Sequence, residues 1–216
     1  MFSMDLHIHS KYSFDGLMSP KTILKNAEHK GLNALAVTDH NSISGGIQTL
    51  RISKETNSNI KVIVGAEIAT NKGDLVGLFL NEEIKSRNFS DVVSEIRCQG
   101  GLAVLPHPFK GHKFSDLTYV ASHVDMIEVL NSRTPIKRDQ IQFLKTLNKT
   151  LLGSSDAHFP QEIGLCKSTL SIDNLTIDEI KQMLLVPSKI VPYGSFGTEF
   201  FQIFSRFVKV VKHTYN

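Results

Sequence analysis

The chain has 216 residues, 41% hydrophobic and 21% charged, which suits one globular domain with a sizeable core. A net charge of +3, from 24 Lys and Arg against 21 Asp and Glu, is too small to argue for nucleic-acid binding by charge alone. No run approaches the ~18 uninterrupted apolar residues of a membrane span, and the opening Met1-Phe2-Ser3-Met4-Asp5 has neither the basic segment nor the apolar stretch of a secretory signal. With two distant cysteines, Cys98 and Cys166, that match no ligand or redox spacing, these features point to a cytoplasmic protein.

Strands are expected at 5–9, 34–38, 61–67, 75–80, 102–106, 125–129, 151–154 and 189–192, with amphipathic helical segments between most of them. Ser19-Pro20 reads as an N-cap followed by proline at the first helical position, and Gly31 closes that helix. Ser90 is expected to cap a helix over 91–99 that stops at Gly100-Gly101. Thr176-Ile177-Asp178-Glu179 has the form of a capping box before a helix ending near Leu185. Such alternation implies βα units around a mainly parallel sheet, open or closed into a barrel. There is no internal repeat; residues 194–198 are the nearest thing to a linker. After them, 200–212 reads as an amphipathic helix with Phe200, Ile203, Phe204, Phe207 and Val211 on one face. Packing on the domain is its ordinary reading, and a dimer contact or a membrane-surface anchor are the alternatives.

The chemistry lies in where the histidines and carboxylates fall. His7 and His9 stand two apart in the first strand, so both side chains point the same way and can grip one ion. The same logic continues along the chain: His40 follows the strand at 34–38, Glu67 ends the next, His107 follows 102–106, and Asp156 and His158 follow 151–154. In βα folds these C-terminal strand ends converge on the face where active sites are built. A mixed nitrogen and oxygen set without thiolates suits Zn, Mn or Fe. Two or three such ions sharing a hydroxide would clamp the attacking and leaving oxygens of a displacement at phosphorus, although the ligand set alone also allows amide hydrolysis.

The motifs Asp5-Leu6-His7-Ile8-His9-Ser10, Ser13-Phe14-Asp15-Gly16, Thr38-Asp39-His40-Asn41, Gly65-Ala66-Glu67-Ile68, Pro106-His107-Pro108 and Ser155-Asp156-Ala157-His158 together resemble the polymerase and histidinol phosphatase (PHP) superfamily. They cover residues 5 to 158 in the family's order, and Glu162-Ile163-Gly164 fits downstream. The resemblance implies an α/β fold, a distorted (β/α)7 TIM-like barrel over residues 1–193, with 194–216 as a C-terminal tail. It implies two or three divalent ions. His7, His9, Glu67 and Asp156 would hold the first, Glu67 would bridge to a second held also by His107, and Asp15, His40 and His158 would hold a third. Without the resemblance, Asp15 would read as a turn-former. Asp39 is expected to orient His40. Many relatives carry a histidine where this chain has Asp74, which either ligates the second ion with altered preference or only caps a turn.

Substrate binding calls for cations outside the ligand set. Arg133 is the first choice for gripping phosphate, with Lys110, His112 and Lys113 behind it. The expected activity is phosphoester hydrolysis by a metal-bound hydroxide, with Asp156, His158 and Arg133 in catalytic roles and His158 or His107 available to protonate the leaving group. The expected substrate is a small phosphorylated molecule, a nucleotide or short oligonucleotide, with no stable duplex binding. A histidinol-phosphate-like or sugar phosphate is the runner-up, and a non-catalytic metal-binding module is the competing class. Phe109, Phe114 and Phe159 flank the metal motifs as base-stacking candidates or as core.

Overall fold

The computed structural model describes residues 1–110, 114–187 and 189–194. The expected helix at 200–212, the tail from 195 onward and the loop groups His112 and Lys113 lie outside the described residues. The strands are β1 (Phe2–Ile8), β2 (Ala34–Val37), β3 (Lys61–Thr70), β4 (Gly73–Leu78), β5 (Leu102–Leu105), β6 (Met126–Asn131), β7 (Thr150–Ser154), β8 (Cys166–Leu170) and β9 (Val191–Gly194). The helices are α1 (Pro20–His29), α2 (Ser44–Glu55), α3 (Phe89–Cys98), α4 (Phe114–His123), α5 (Arg138–Thr146) and α6 (Ile177–Leu184). Local signals placed α1 and α6 well: the Ser19 side chain accepts from Thr22 N with Pro20 in the first turn, and Thr176 and Glu179 form the capping box. For α3 the cap is Asn88, which accepts from Ser90 N and Asp91 N; Ser90 lies inside the helix.

The strand order is β7-β6-β5-β4-β3-β2-β1-β8-β9. Pairs β1–β2, β2–β3, β5–β6 and β6–β7 are parallel, but β4 runs antiparallel to both neighbours, and β8 pairs antiparallel with β1 and β9. The sheet is therefore less parallel than the alternation suggests. A tight β3–β4 turn at Asn71–Lys72 leaves no room for a crossover helix, so β4 must return antiparallel.

The sheet curls until its ends meet. Past Ile8, the chain after β1 bridges Ala157 beyond β7, with His9 N donating to Ala157 O at 2.8 Å. Below, β7 abuts β8: Ser168 Oγ accepts from Gly153 N and donates to Gly153 O, both at 3.0 Å. Gly153 is required there, since a Cβ would lie 2.6 Å from Lys167 O. One apolar cluster draws on every strand from β1 to β7, among them Met4, Ala36, Ile63, Val76, Val104, Met126 and Leu152. A cluster with that membership lies inside a closed sheet, and α6 seals its base through Ile180 and Leu184. Two further clusters pack α1–α2 and α3–α5 against the outside. This is a distorted TIM-like barrel.

Candidate metal centre

Two β-bulges shape the barrel mouth. Between Asp5 and Ile8, β1 carries one residue more than β2. Leu6 consequently joins the inner cluster, Ile8 joins the outer one, and His7 and His9 both turn into the mouth. In β6 the extra residue falls between Glu128 and Leu130. Val129 and Leu130 both pack outside, so Asn131 turns back inward beside Glu128, its amide donating to Glu128 Oε2 at 2.7 Å.

Four donor atoms converge at the centre. His7 Nε2 and His9 Nε2 are 3.1 Å apart. Glu67 Oε2 lies 3.4 Å from the first and 3.3 Å from the second, and Asp156 Oδ1 lies 3.6 and 3.2 Å from them. All four side chains are buried. Glu67 reaches in two further directions, with Oε2 at 3.3 Å from His40 Nδ1 and Oε1 at 3.0 Å from His107 Nε2. Asp15 Oδ2 stands 3.3 Å from His40 Nε2 and 3.1 Å from His158 Nε2. With Asp74 they form three groups, within each of which the ligand atoms lie within 4.8 Å of one another: His7, His9 and Asp156; His9, Asp15, His40 and His158, which shares His9 with the first; and Glu67, Asp74 and His107. The structure thus brings together all nine residues expected to ligate.

Asp74 arrives by a route that strand direction explains. It sits at the start of β4, and because β4 runs backwards, that start lies at the same mouth as the ends of its neighbours. Pairing with Ala69 and the inward alternation with Val76 and Leu78 aim its side chain at the centre. This places an Asp74 oxygen within 4.8 Å of ligand atoms of Glu67 and His107.

The supporting contacts fix ring orientations. Glu128 Oε1 faces His7 Nδ1 at 3.2 Å, and its Oε2 accepts from His107 N at 2.9 Å. His158 Nδ1 faces Asp156 O at 2.8 Å. In both rings the bonded Nδ1 carries the proton and leaves the Nε2 lone pair for the centre. Phe14 stacks flat on His40, with ring centroids 4.5 Å and planes 11° apart. His107 and Asp156 hold positive φ angles of 29° and 55°, a strained backbone of the kind that gathers at functional sites. Gly16 permits the return of the Asp15 loop, since a Cβ there would collide with Ser10 O.

Glu128 was not anticipated from sequence. Its one signal is a carboxylate within the apolar run Met126-Ile127-Glu128-Val129. Asp39 differs from expectation: its carboxylate accepts from Ser10 N and Ser10 Oγ, both at 2.6 Å, and so pins the loop after β1 instead of holding His40. Arg133 is nearly buried, and its Nη1 lies 2.8 and 3.0 Å from the two oxygens of Glu162. Glu162 in turn accepts from His158 N and Phe159 N. Arg133 therefore braces the loop that carries His158. Lys110 is exposed. Phe159 is buried, and Phe109, half-buried, packs against the outer core.

Electrostatics follow from burial set against pairing. Burial opposes charging His9, yet hydrogen bonds to Asp156 and Glu67 outweigh it and carry its pKa up to about 10. His7 is likewise raised, against burial, by Asp156, Glu67 and Glu128. His158 moves down to about 4 through burial and the charge of His9. Burial would raise Asp15, Glu67 and Asp156, but the surrounding imidazoles hold all three below the usual carboxylate range. Asp5, buried beneath the centre and accepting from Ser155 N and Gly164 N, is pushed up to about 6 by desolvation.

This donor set fits divalent ions. Tetrahedral bonds of ~2.1 Å separate neighbouring donors by about 3.4 Å; His7 Nε2 and His9 Nε2 lie 3.1 Å apart, and each lies 3.2–3.6 Å from the Glu67 and Asp156 oxygens. Buried His9 Nδ1 and His107 Nδ1 have no hydrogen-bond partner, leaving each ring's bonding to the cluster it faces.

A closed α/β barrel with imidazoles and carboxylates converging at its mouth is an architecture suited to divalent-cation chemistry. The family profile described as the PHP domain matches residues 5–184, and the chain belongs to that family. An uncharacterized protein of Methanocaldococcus jannaschii is 38% identical over 164 residues, 68% of this chain and 90% of its own length. Among solved structures, a two-domain protein from Bacteroides vulgatus containing a predicted PHP-like metal-dependent phosphoesterase superposes with a TM-score of 0.75 at 22% identity, covering 96% of this chain and 69% of that one. The lesion-specific endonuclease Q of Pyrococcus furiosus superposes with a TM-score of 0.67 at 21% identity, covering 89% of this chain and 58% of that one. Among the described residues, no helix is long and apolar enough to cross a membrane.

Proposed function

We propose that this protein is a metal-dependent phosphoesterase acting on a nucleotide or short oligonucleotide. The observation that carries the reading is Glu67, whose Oε2 lies 3.3–3.4 Å from nitrogens of His7, His9 and His40 and whose Oε1 lies 3.0 Å from His107 Nε2, so that one carboxylate would serve more than one ion. His7, His9, Glu67 and Asp156 hold one ion; Glu67, Asp74 and His107 a second; Asp15, His40 and His158 a third. When bound, the ions, Mn, Zn or Fe, supply an activated water and neutralise charge at phosphorus.

The chain's own residues do the positioning. Glu128 and the Asp156 carbonyl fix the tautomers of His7 and His158. Arg133 and Glu162 hold the loop on which His158 sits. Asp39 holds the loop leading to Asp15 through Ser10. Because bound ions would supply the activated water, no Ser or Cys nucleophile is needed. A nuclease-like substrate is favoured by the likeness to endonuclease Q, although that protein has been seen with a duplex, whereas the modest charge of this chain suits a smaller ligand.

The test is hydrolysis of a phosphoester panel with added Mn, Zn or Fe, run for wild type and Asp156→Asn. The panel comprises an aryl phosphate, mononucleotides, 3′,5′-bisphosphates, single-stranded oligonucleotides, an abasic duplex and histidinol phosphate. Metal-dependent turnover, lost in the variant and highest on nucleotides or oligonucleotides, supports the proposal. Turnover confined to histidinol phosphate or a sugar phosphate overturns the substrate class. Metal binding with no turnover on any substrate supports the non-catalytic module.

A further inference from the structure

The three donor groups differ in chemical hardness, and Asp74 makes the difference. The group of His9, Asp15, His40 and His158 offers three imidazoles to one carboxylate. The group of Glu67, Asp74 and His107 offers two carboxylates to one imidazole. Glu67 and His107 are buried and Asp74 is half-buried, as Asp15 and His40 are in the imidazole-rich group, so donor chemistry and not exposure separates the two positions. Asp74 is held in that role by the fold. Its neighbour Leu75 packs into the outer core while Val76 and Leu78 fill the barrel interior, so the side chain cannot turn away without breaking the β3–β4 register. His107 is equally fixed, by Glu128 at its backbone N–H. Oxygen donors and retained water favour hard cations such as Mn2+ or Mg2+, while imidazole-rich positions favour Zn2+.

We propose that Asp74 gives this centre one hard-cation position, the most oxygen-rich of the three, so that the ion shared by Glu67, Asp74 and His107 is the one most readily held as Mn2+. The inference rests on the metal-centre reading above. Zn2+ outranks Mn2+ at most donor sets, so Asp74 acts by narrowing that gap at one position.

The experiment uses chelator-stripped protein, with Mn2+ uptake followed by loss of the free aqua-ion signal in electron paramagnetic resonance. Zn2+ displacement is measured on the same samples. Wild type is compared with Asp74→Asn, which keeps the shape, and Asp74→His, which restores an imidazole; thermal melting reports the fold. Expected results are one Mn2+ position weakened by about tenfold or more in Asp74→Asn, and a Zn2+-over-Mn2+ preference at that position increased by about tenfold in Asp74→His. Wild-type Mn2+ and Zn2+ affinities in both variants, with unchanged melting, would overturn the role of Asp74 while leaving the metal centre standing. If wild type took up no divalent ion at all, the metal-centre reading would fall, and this inference with it.

Discussion

Replacing Glu128 with Gln would test whether the centre depends on how its ligands are held. Glu128 is fully buried and makes three contacts: Oε2 accepts from His107 N at 2.9 Å and from the Asn131 amide at 2.7 Å, and Oε1 faces His7 Nδ1 at 3.2 Å. A glutamine can satisfy the first two with its single carbonyl oxygen. Its NH2 must then face His7 Nδ1, where two donors confront each other. His7 escapes by moving its proton to Nε2, which is the atom aimed at the centre. Losing a hydrogen bond to a charged acceptor costs about 1.5–3 kcal/mol, which corresponds to roughly 10–100-fold in metal affinity. Because His107 N and Asn131 keep their partner, melting should shift little. Glu128→Ala differs: it strands both donors and should lower stability by about 2–6 kcal/mol, at ~1–3 kcal/mol for each. The assay is competition against a chromophoric chelator, with melting on the same samples. Metal affinity within twofold of wild type in Glu128→Gln would refute the orienting role.

Other consequences can be checked independently. The folded pKa of His9 is raised from 6.5 to about 10, so its pairing stabilises fully below pH 6.5 and is lost as pH rises through about 10. Chelator-treated protein should therefore melt at a lower temperature near pH 10 than near neutrality; an unchanged or higher melting temperature would contradict the pairing. Ligating imidazoles must be neutral, so metal uptake near neutral pH should release protons, seen in calorimetry as a dependence on buffer ionisation enthalpy. Arg133→Lys and Glu162→Gln should cause similar losses of metal affinity, and the double variant should be no worse than either, as expected for one linked unit. A loss confined to substrate KM in Arg133→Lys alone would instead mark a phosphate contact. Gly153→Ala should cost about 1–3 kcal/mol by prising β7 from β8, measured by denaturant unfolding.

The candidate site was more legible than the sheet that carries it. His7 and His9 share a face because the alternation from His7 onward survives the irregularity between Asp5 and Ile8. His40, Glu67, His107, Asp156 and His158 follow apolar runs that end where the barrel opens, so spacing alone groups them. Strand direction is not written in hydrophobic periodicity, which is why a mainly parallel sheet was expected and the arrival of Asp74 at the mouth on an antiparallel β4 needed the fold. Residues 166–170, Cys-Lys-Ser-Thr-Leu, are too short and polar to announce β8. Glu128 and Asn131 share a face only through an irregularity at Val129–Leu130, and no two-residue period can foresee that. Asp39 stands beside His40 in sequence and Arg133 just past the end of β6, yet their side chains serve Ser10 and Glu162, because loop geometry decides which neighbour a polar group meets.

The central claim is that divalent ions sit among His7, His9, Glu67 and Asp156. Crystals grown with Mn2+ and measured at the manganese absorption edge would locate the ions directly. The account predicts an anomalous peak enclosed by those four side chains, with further peaks beside Glu67, Asp74 and His107 and beside Asp15, His40 and His158. A well-ordered barrel with no peak among the four, or with manganese bound only elsewhere, would contradict it.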